Sequence, residues 1–250
     1  MKLLTIDIET SPNLADVWGL WQQNVGLAQL KEAQRMLCFA AKWWGKKRTN
    51  FRSEYLDGTE YMVESAWQLL NEADAVIGYN SQGYDVKHLN REFIQLGLGP
   101  PSPFKNIDLF RVVKANFKFP SYKLDYVAGV LLGEKKLDTG GHELWTQVMK
   151  DNRKAWKTMQ SYNIRDVDLT ERLYERLLPW IRNHPNHNLW SPTDEKVCAN
   201  CGSSHIVKDG FYYTNVGKYQ QYRCQGCGAW GRGRESLRRG DDRIDIRGVR

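Results

Sequence analysis

The chain has 250 residues, with 36 Lys and Arg against 29 Asp and Glu and a formal net charge of +7. This length allows one sizeable core and a small appended module, and the positive balance favours a polyanionic partner such as nucleic acid. No stretch approaches the run of about 18 apolar residues that a membrane span needs, and an acid at residue 7 interrupts the apolar start that a signal peptide would have, so we expect a cytoplasmic protein without a membrane partner.

The first half of the chain predicts strands with interleaved helices, and the second half predicts mostly helices. Alternating apolar residues predict strands over 3–9, 14–20, 35–44, 52–57, 75–80 and 106–110. Apolar residues at helical spacing predict helices over 61–72, 85–96 and 152–178, with further helical stretches from 122 onward. This order predicts an α/β fold with a mixed sheet and flanking helices.

Composition divides the chain into four predicted parts. Residues 1–182 carry the predicted sheet and its helices, and the polar, Pro-containing stretch 183–195 is predicted to be a linker. Residues 196–230 contain paired cysteines. Residues 231–250 form a tail with seven Arg and four acids, which favours a phosphate-binding segment over a merely solvated terminus.

The segment LLTIDIET, residues 3–10, places two carboxylates in a strand that is otherwise expected to be buried. Period two puts Asp7 and Glu9 on one face of this strand and Ile6 and Ile8 on the other. Acids beside an apolar segment are costly unless water or a cation compensates their charge. The two alternatives are therefore strand-end acids that face solvent, or a face that binds a cation.

The predicted helix 152–178 carries a further acid on its apolar face. Asp166 fills the one gap in a stripe of apolar residues that step by three and four positions. Tyr162 lies one turn earlier, so its hydroxyl can reach the same place, although a structural hydrogen bond between a core Tyr and Asp is an alternative. Asp85 begins another helix, where it is either an N-cap or an inward-facing acid one turn before Leu89.

These four acids come from three elements, and we expect them to converge. Carboxylates that share a pocket repel one another unless divalent cations neutralise them. Oxygen ligands of this kind select Mg²⁺ or Mn²⁺. Two such ions about 4 Å apart form an arrangement that hydrolyses phosphodiesters.

Three motifs give these acids the order and spacing of a known family. DIET (7–10), GYNSQGYDVKHL (78–89) and YNIRD (162–166) resemble the three exonuclease motifs of the DEDD superfamily, in its Tyr-containing branch. The closest likeness is to the 3′–5′ proofreading domains of family B DNA polymerases and their stand-alone relatives. SYKLDYVAGVLLGEKK (121–136) resembles the helical stretch that precedes the third motif. The resemblance covers about residues 1–182 and implies a ribonuclease H-like fold.

The resemblance also implies a role for each motif residue in a two-metal hydrolysis that releases nucleoside monophosphates. Asp7 would bridge both metals, while Glu9 and Asp166 would complete the site of the metal that activates water. Asp85 would support the second metal, and Tyr162 would orient the attacking water.

Two further motif positions are expected to bind the substrate. Thr10 and Asn80 match positions near the terminal nucleotide. A Tyr stands at position 84, where the family often has Phe.

Four of the five cysteines form two Cys-x-x-Cys-Gly pairs, CANCG (198–202) and CQGCG (224–228). A spacer of 22 residues separates the inner cysteines, slightly more than the usual zinc-ribbon range of about 15–20. The predicted ligands of one structural Zn²⁺ are Cys198, Cys201, Cys224 and Cys227. A redox dithiol is the alternative, and Cys38 is predicted to be a core residue.

The resemblance implies a stand-alone 3′–5′ exonuclease that acts on DNA, most readily on single-stranded ends, with a replication or repair protein as a further partner. Tyrosines of the cysteine module lie among Lys and Arg, which suits either base stacking or packing of a hairpin. One rival function is an RNA 3′ exonuclease or a structure-specific nuclease on the same fold. The other is a nucleic-acid-binding recruitment protein that acts through its zinc ribbon.

Overall fold

The computed structural model describes residues 1–134, 140–190 and 195–237. The strands in these ranges are β1 (Leu3–Thr10), β2 (Leu14–Ala15), β3 (Leu30–Glu32), β4 (Met36–Trp43), β5 (Thr49–Ser53), β6 (Ala75–Gly78), β7 (Lys105–Asp108), β8 (Ile206–Thr214), β9 (Gly217–Cys224) and β10 (Trp230–Ser236). The helices are α1 (Glu54–Asp57), α2 (Thr59–Glu72), α3 (Asp85–Gln95), α4 (Leu109–Asn116), α5 (Leu124–Leu132), α6 (His142–Val148) and α7 (Arg153–Leu177). The chain separates into two compact units, Lys2–Tyr174 and Glu175–Arg250, the second of which also takes in Met1.

The larger unit is built on a five-stranded mixed sheet in the order β5-β4-β1-β6-β7. The central strand β1 pairs antiparallel with β4 and parallel with β6, and β6 pairs parallel with β7. The predicted α/β fold with a mixed sheet and flanking helices is therefore confirmed.

Helices cover both faces of this sheet. On one face, Ile6 and Ile8 of β1 pack in a buried cluster with apolar residues of α2 and α3. On the other, Cys38 and Ala40 of β4 pack with residues of α6 and α7, including Met159. Because side chains alternate along β1, Asp7 and Glu9 point to the face that α7 covers.

The pairing of β1 with β4 is irregular beside these acids. Glu9 is opposite Cys38 and Thr10 is opposite Met36, so β4 carries one extra residue at this point. Such a bulge re-aims the side chains around it, and bulges are frequent next to functional sites.

Two predicted strands end earlier than the sequence pattern indicated, because their last residues cap helices. Ser53 ends β5, and its Oγ accepts a hydrogen bond from the Leu56 amide in α1. Asp108 ends β7, and its carboxylate accepts one from the Phe110 amide in α4. Side chains of this kind satisfy the first helical N–H groups and so favour a turn into helix.

The segment that follows β1 contains less strand than predicted. Of the predicted strand over 14–20, only Leu14–Ala15 forms a strand, and it pairs with β3 in a two-stranded sheet. The side chains that were expected to alternate into a core instead lie in solvent, with Trp18 98% and Leu20 88% exposed. After Ala15, the rest of the segment 14–20 therefore forms an exposed apolar loop despite its alternating pattern.

The smaller unit contains a three-stranded antiparallel sheet in the order β10-β9-β8. Residues 191–194 of the predicted linker and 238–250 of the predicted Arg-rich tail lie outside the described residues. In the part of the chain that is described, the helices are too short or too polar to cross a membrane.

Candidate active site

Three carboxylates meet where β1 passes under α7. Asp7 and Glu9 are half-buried on β1, and Asp166, which is 1% exposed, projects from α7. One carboxylate oxygen of each residue lies within 4.8 Å of those of the other two. Three negative charges at this spacing repel strongly in a partly buried site. An oxygen-only donor set with this charge fits a hard divalent cation such as Mg²⁺ or Mn²⁺.

Asp85 lies beside this group, but it is not among the three acids whose carboxylate oxygens lie within 4.8 Å of one another. It is the first residue of α3, while Tyr84 takes the N-cap position. Its Oδ1 accepts a hydrogen bond of 3.1 Å from the backbone amide of Ile8, the residue between Asp7 and Glu9. The structure thus places Asp85 against the same stretch of β1.

Tyr162 lies on α7 one turn before Asp166. It is half-buried, and its ring packs edge-to-face on Trp145 of α6 with centroids 6.0 Å apart and an interplanar angle of 76°. The ring is therefore held in place by α6, in a cluster that also contains residues of β4.

Asn163 is a residue of this site that sequence analysis missed. It is fully buried, and its Nδ2 donates hydrogen bonds to Oδ2 of Asp7 at 2.7 Å and to the carbonyl oxygen of Asp7 at 3.2 Å. This amide holds both the side chain and the backbone of Asp7. The inward position of Asn163 could be predicted from the sequence. Asn163 follows Met159 by four residues and precedes Asp166 by three, which places it on the inward stripe of α7.

Cys38 contacts the side-chain oxygen of Asn163, whose nitrogen binds Asp7. Its Sγ lies 3.9 Å from Oδ1 of Asn163 and donates to it. Burial, and then the negative charges of Glu9 and Asp7, raise the pKa of this thiol well above its usual value. Cys38 therefore stays protonated as a donor, and its complete burial agrees with the predicted core position.

Thr10, at the end of β1, belongs to a hydrogen-bonded trio. Its Oγ1 lies 2.6 Å from the hydroxyl of Tyr84. Nε2 of Gln34 donates to Oγ1 of Thr10 at 2.6 Å and to the Tyr84 hydroxyl at 2.9 Å. The hydroxyl that distinguishes Tyr84 from Phe thus forms hydrogen bonds with Thr10 and Gln34 in this chain. Gln34 had no sequence signal, because it lies in the short connection between β3 and β4.

Asn80 follows β6, so it lies at the same end of the sheet as Thr10, since β1 and β6 are parallel. Its backbone is left-handed, with φ of +62°, a conformation that Asn tolerates better than most residues. Asp108 holds this turn by accepting hydrogen bonds from the amides of Asn80 at 2.9 Å and Gln82 at 3.3 Å. Asn80 also lines a cleft of about 500 Å³ with Tyr122 and neighbouring residues.

The four paired cysteines come together in the smaller unit, with their sulfur atoms within 4.8 Å of one another. Sγ atoms of Cys198 and Cys227 are 3.6 Å apart, as are those of Cys201 and Cys224, so none of these contacts is a disulfide. A tetrahedral Zn²⁺ with Zn–S bonds of about 2.3 Å has sulfur atoms about 3.8 Å apart. The cluster therefore fits the predicted zinc site.

The thiols of this cluster differ in acidity in the metal-free protein. Burial raises the pKa of Cys201 to about 11. Burial also acts to raise the pKa of Cys224, but hydrogen bonds from the backbone amides of Cys227 and Gly226 outweigh it and lower the pKa to about 7. A metal that bound all four sulfur atoms as thiolates would therefore displace protons at neutral pH.

The larger unit is thus an α/β domain in which the central strand of the mixed sheet and α7 bring three carboxylates together. A model of the RNase H superfamily matches residues 26–178, more than half of the chain, and the chain belongs to this superfamily. The predicted ribonuclease H-like fold is confirmed.

A viral protein and a solved archaeal structure are similar to parts of the chain. A Frog virus 3 (isolate Goorha) protein named "Putative DNA polymerase 060R" is 24% identical over 140 residues, which cover 42% of this chain and 14% of the viral protein. The structure of the family B DNA polymerase from the hyperthermophilic archaeon Pyrobaculum calidifontis matches with a TM-score of 0.55 and 21% identity, over 71% of this chain and 24% of that chain. The chain thus spans about a quarter or less of each protein. The second match confirms a likeness in fold to a family B polymerase.

Proposed function

We propose that this chain is a metal-dependent 3′–5′ exonuclease that hydrolyses the phosphodiester bonds of DNA at single-stranded ends and releases nucleoside monophosphates. The observation that carries this proposal is the convergence, within 4.8 Å, of Asp7 and Glu9 on the central strand of an RNase H-like sheet with Asp166 of α7. The three exonuclease-like motifs and the similarity to DNA polymerases support DNA as the substrate and the 3′ end as the point of attack.

Asp7, Glu9 and Asp166 would hold a divalent cation, and Asp85 lies close enough to β1 to support a second. Mg²⁺ or Mn²⁺ bound there would supply Lewis-acid activation of water and charge stabilisation of the leaving 3′ oxygen. The hydroxyl of Tyr162, on a ring fixed by α6, would orient the attacking water toward the terminal phosphodiester.

Thr10 and Asn80 are proposed to bind the terminal nucleotide. Both lie at the carboxyl ends of parallel strands, where α/β sheets commonly bind ligands. The Thr10 hydroxyl is already held by Tyr84 and Gln34, so it presents a fixed group to a sugar or base.

Digestion of end-labelled oligonucleotides tests this function. Single- and double-stranded DNA and RNA of one sequence, labelled at the 5′ or the 3′ end, are incubated with Mg²⁺, Mn²⁺ or no metal, beside an Asp7→Ala preparation. We expect a descending ladder from 5′-labelled single-stranded DNA and immediate release of a mononucleotide from the 3′ label. Faster loss of RNA, internal cuts, or equal activity of the Asp7→Ala preparation would contradict the proposal.

Asn163 is proposed to act as a positioning residue for Asp7. Without its amide, the Asp7 carboxylate loses a hydrogen bond that fixes its orientation, and changes in groups that hold a metal ligand typically cost about 10–100-fold in metal affinity or activity. We therefore expect Asn163→Ala to raise the Mg²⁺ concentration for half-maximal activity by about 10-fold or more. Much of the rate should return at high Mg²⁺.

Cys38→Ala is the matched control for this variant, because it removes the other polar contact of Asn163 and leaves the amide on Asp7. A Mg²⁺ titration of both variants, with their melting temperatures, separates metal positioning from packing. The role of Asn163 would be wrong if both variants kept the wild-type Mg²⁺ requirement, or if both changed it equally.

A further inference from the structure

The register of the small antiparallel sheet sorts its cationic and aromatic side chains onto two faces. Tyr212 is opposite Tyr219, and Arg223 is opposite Trp230, so these four residues share one face of the sheet. Arg232 also belongs to this face, because its guanidinium lies over Tyr219. We call these five residues the arginine face.

The opposite face carries a different set. Tyr213 is opposite Lys218 in β9, one position out of phase with Tyr212 and Tyr219. The Lys218 ammonium lies 3.8 Å from the ring centroid of Phe211 and 5.7 Å from that of Tyr213. These three residues form the lysine face, which has similar composition and therefore serves as an internal control.

On the arginine face, both guanidinium groups rest on aromatic rings. Cζ of Arg232 is 4.2 Å from the Tyr219 centroid and 5.5 Å from that of Tyr212. Cζ of Arg223 is 5.4 Å from the Trp230 centroid. A guanidinium stacked in this way keeps its N–H donors at the edge and is well ordered for binding phosphate.

The arginine face is also exposed and positively charged. Tyr212 is 47% and Trp230 is 53% exposed, so each offers part of a ring to a stacking partner. Within the described residues, Arg223 and Arg232 form no ion pair with a carboxylate, in contrast to Arg165 and Arg172 of the larger unit, which pair with an acid. The positive charge of this face therefore has no internal partner among those residues.

We propose that the arginine face binds single-stranded nucleic acid, with bases stacked on Tyr212 and Trp230 and phosphates bound by Arg223 and Arg232. Charge selects a polyanion, and exposed rings select one whose bases are unstacked, which a duplex does not offer. The face extends from Tyr219 to Arg223 of β9, a distance of about 13 Å, which suits a few nucleotides. The inference rests on the proposed function only in that both units would then bind the same class of substrate.

Fluorescence anisotropy of the full-length, zinc-loaded chain tests this proposal. The Asp166→Asn background and the omission of Mg²⁺ prevent digestion of a labelled oligothymidylate. An abasic oligomer and a duplex of equal length serve as the second and third probes. In this background we compare three double variants. The first carries Arg223→Gln and Arg232→Gln, and the second carries Tyr212→Ala and Trp230→Ala. The lysine-face control carries Tyr213→Ala and Lys218→Gln. Zinc content and circular dichroism show whether each variant is folded.

The two arginine-face variants should weaken binding in different ways. Loss of two phosphate contacts should reduce the slope of log K against log salt by about 1.4, at about 0.7 for each contact. Loss of the two rings should weaken binding of oligothymidylate by about 10–100-fold, with a much smaller effect on the salt slope and on the abasic oligomer because both arginines remain. The control variant should bind nearly as the parent does.

Three results would overturn the proposal: no binding by the parent chain, equal losses in the control variant, or equal affinity for duplex and single strands. Each is separable from failure of the proposed function, because binding is measured without hydrolysis. A wild-type chain that lacks nuclease activity but binds through the arginine face would refute only the exonuclease. An active nuclease whose arginine-face variants bind normally would refute only this inference.

Discussion

Asp166→Asn is expected to abolish metal-dependent hydrolysis and, at the same time, to stabilise the metal-free chain. Asp166 is buried, and its carboxylate lies within 4.8 Å of two others, so the ionised forms of the three would repel one another in the metal-free fold. Removing one charge relieves this repulsion but also removes a metal ligand, which is worth several kcal/mol to the reaction. We expect a loss of activity of roughly 10³-fold or more.

The stability of the same variant gives an independent readout. Each kcal/mol of relieved repulsion should raise the melting temperature of the metal-free chain by about 2–4 °C for a domain of this size. Mg²⁺ or Mn²⁺ should raise the melting temperature of the wild type, because a ligand that binds only the folded state stabilises it. The variant should lack most of this response.

Asp168→Asn is the matched control, two residues further along α7. Its carboxylate pairs with Lys42 at 2.9 Å and is 38% exposed, so it makes a peripheral ion pair outside the acidic cluster. This variant should keep its activity and its response to Mg²⁺, and its metal-free melting temperature should not rise. Comparable activity losses in Asp166→Asn and Asp168→Asn would show that the cluster is not the reacting site.

The acids of the site were predictable because each stood out against a simple period. Asp7 and Glu9 break the apolar character of a strand, and Asp166 breaks a helical stripe, so burial could be expected from local sequence alone. The contact between Asn163 and Asp7 joins residues 156 positions apart. Helical spacing shows that Asn163 faces inward, but the atom that it meets depends on how α7 lies on the sheet.

The fold was predictable to a similar degree, and its prediction was wrong at one segment for a similar reason. The central strand and the long helix have strong periods, and the structure contains both. At 14–20 the sequence also predicts a strand, but in the described structure Trp18 and Leu20 pack against no other element and stay exposed. Alternation predicts a strand only where a sheet edge is available to pair with it, and that depends on tertiary structure.

Zinc removal is expected to unfold the small sheet, because its core consists of little besides the metal ligands. The buried cluster of this unit contains Cys198, Cys224 and Ala229, with Cys201, Ile206 and Cys227 packed against it. Structural zinc contributes on the order of 10–16 kcal/mol of apparent free energy in small modules of this kind. A cluster with so few apolar residues cannot replace that contribution.

Cys198→Ser should therefore reduce the zinc content from one equivalent per chain to none. Protease should then cleave within 195–237, where the wild type should resist cleavage. Cys38→Ser is the matched control: Cys38 is buried against Asn163 in the larger unit and should leave the zinc content at one equivalent. Elemental analysis and limited proteolysis, each with and without a chelator, provide the measurements. A chelated chain that still resists protease within 195–237 would mean that the four sulfur atoms are not a structural metal site, and a redox dithiol would then be the better interpretation of their spacing.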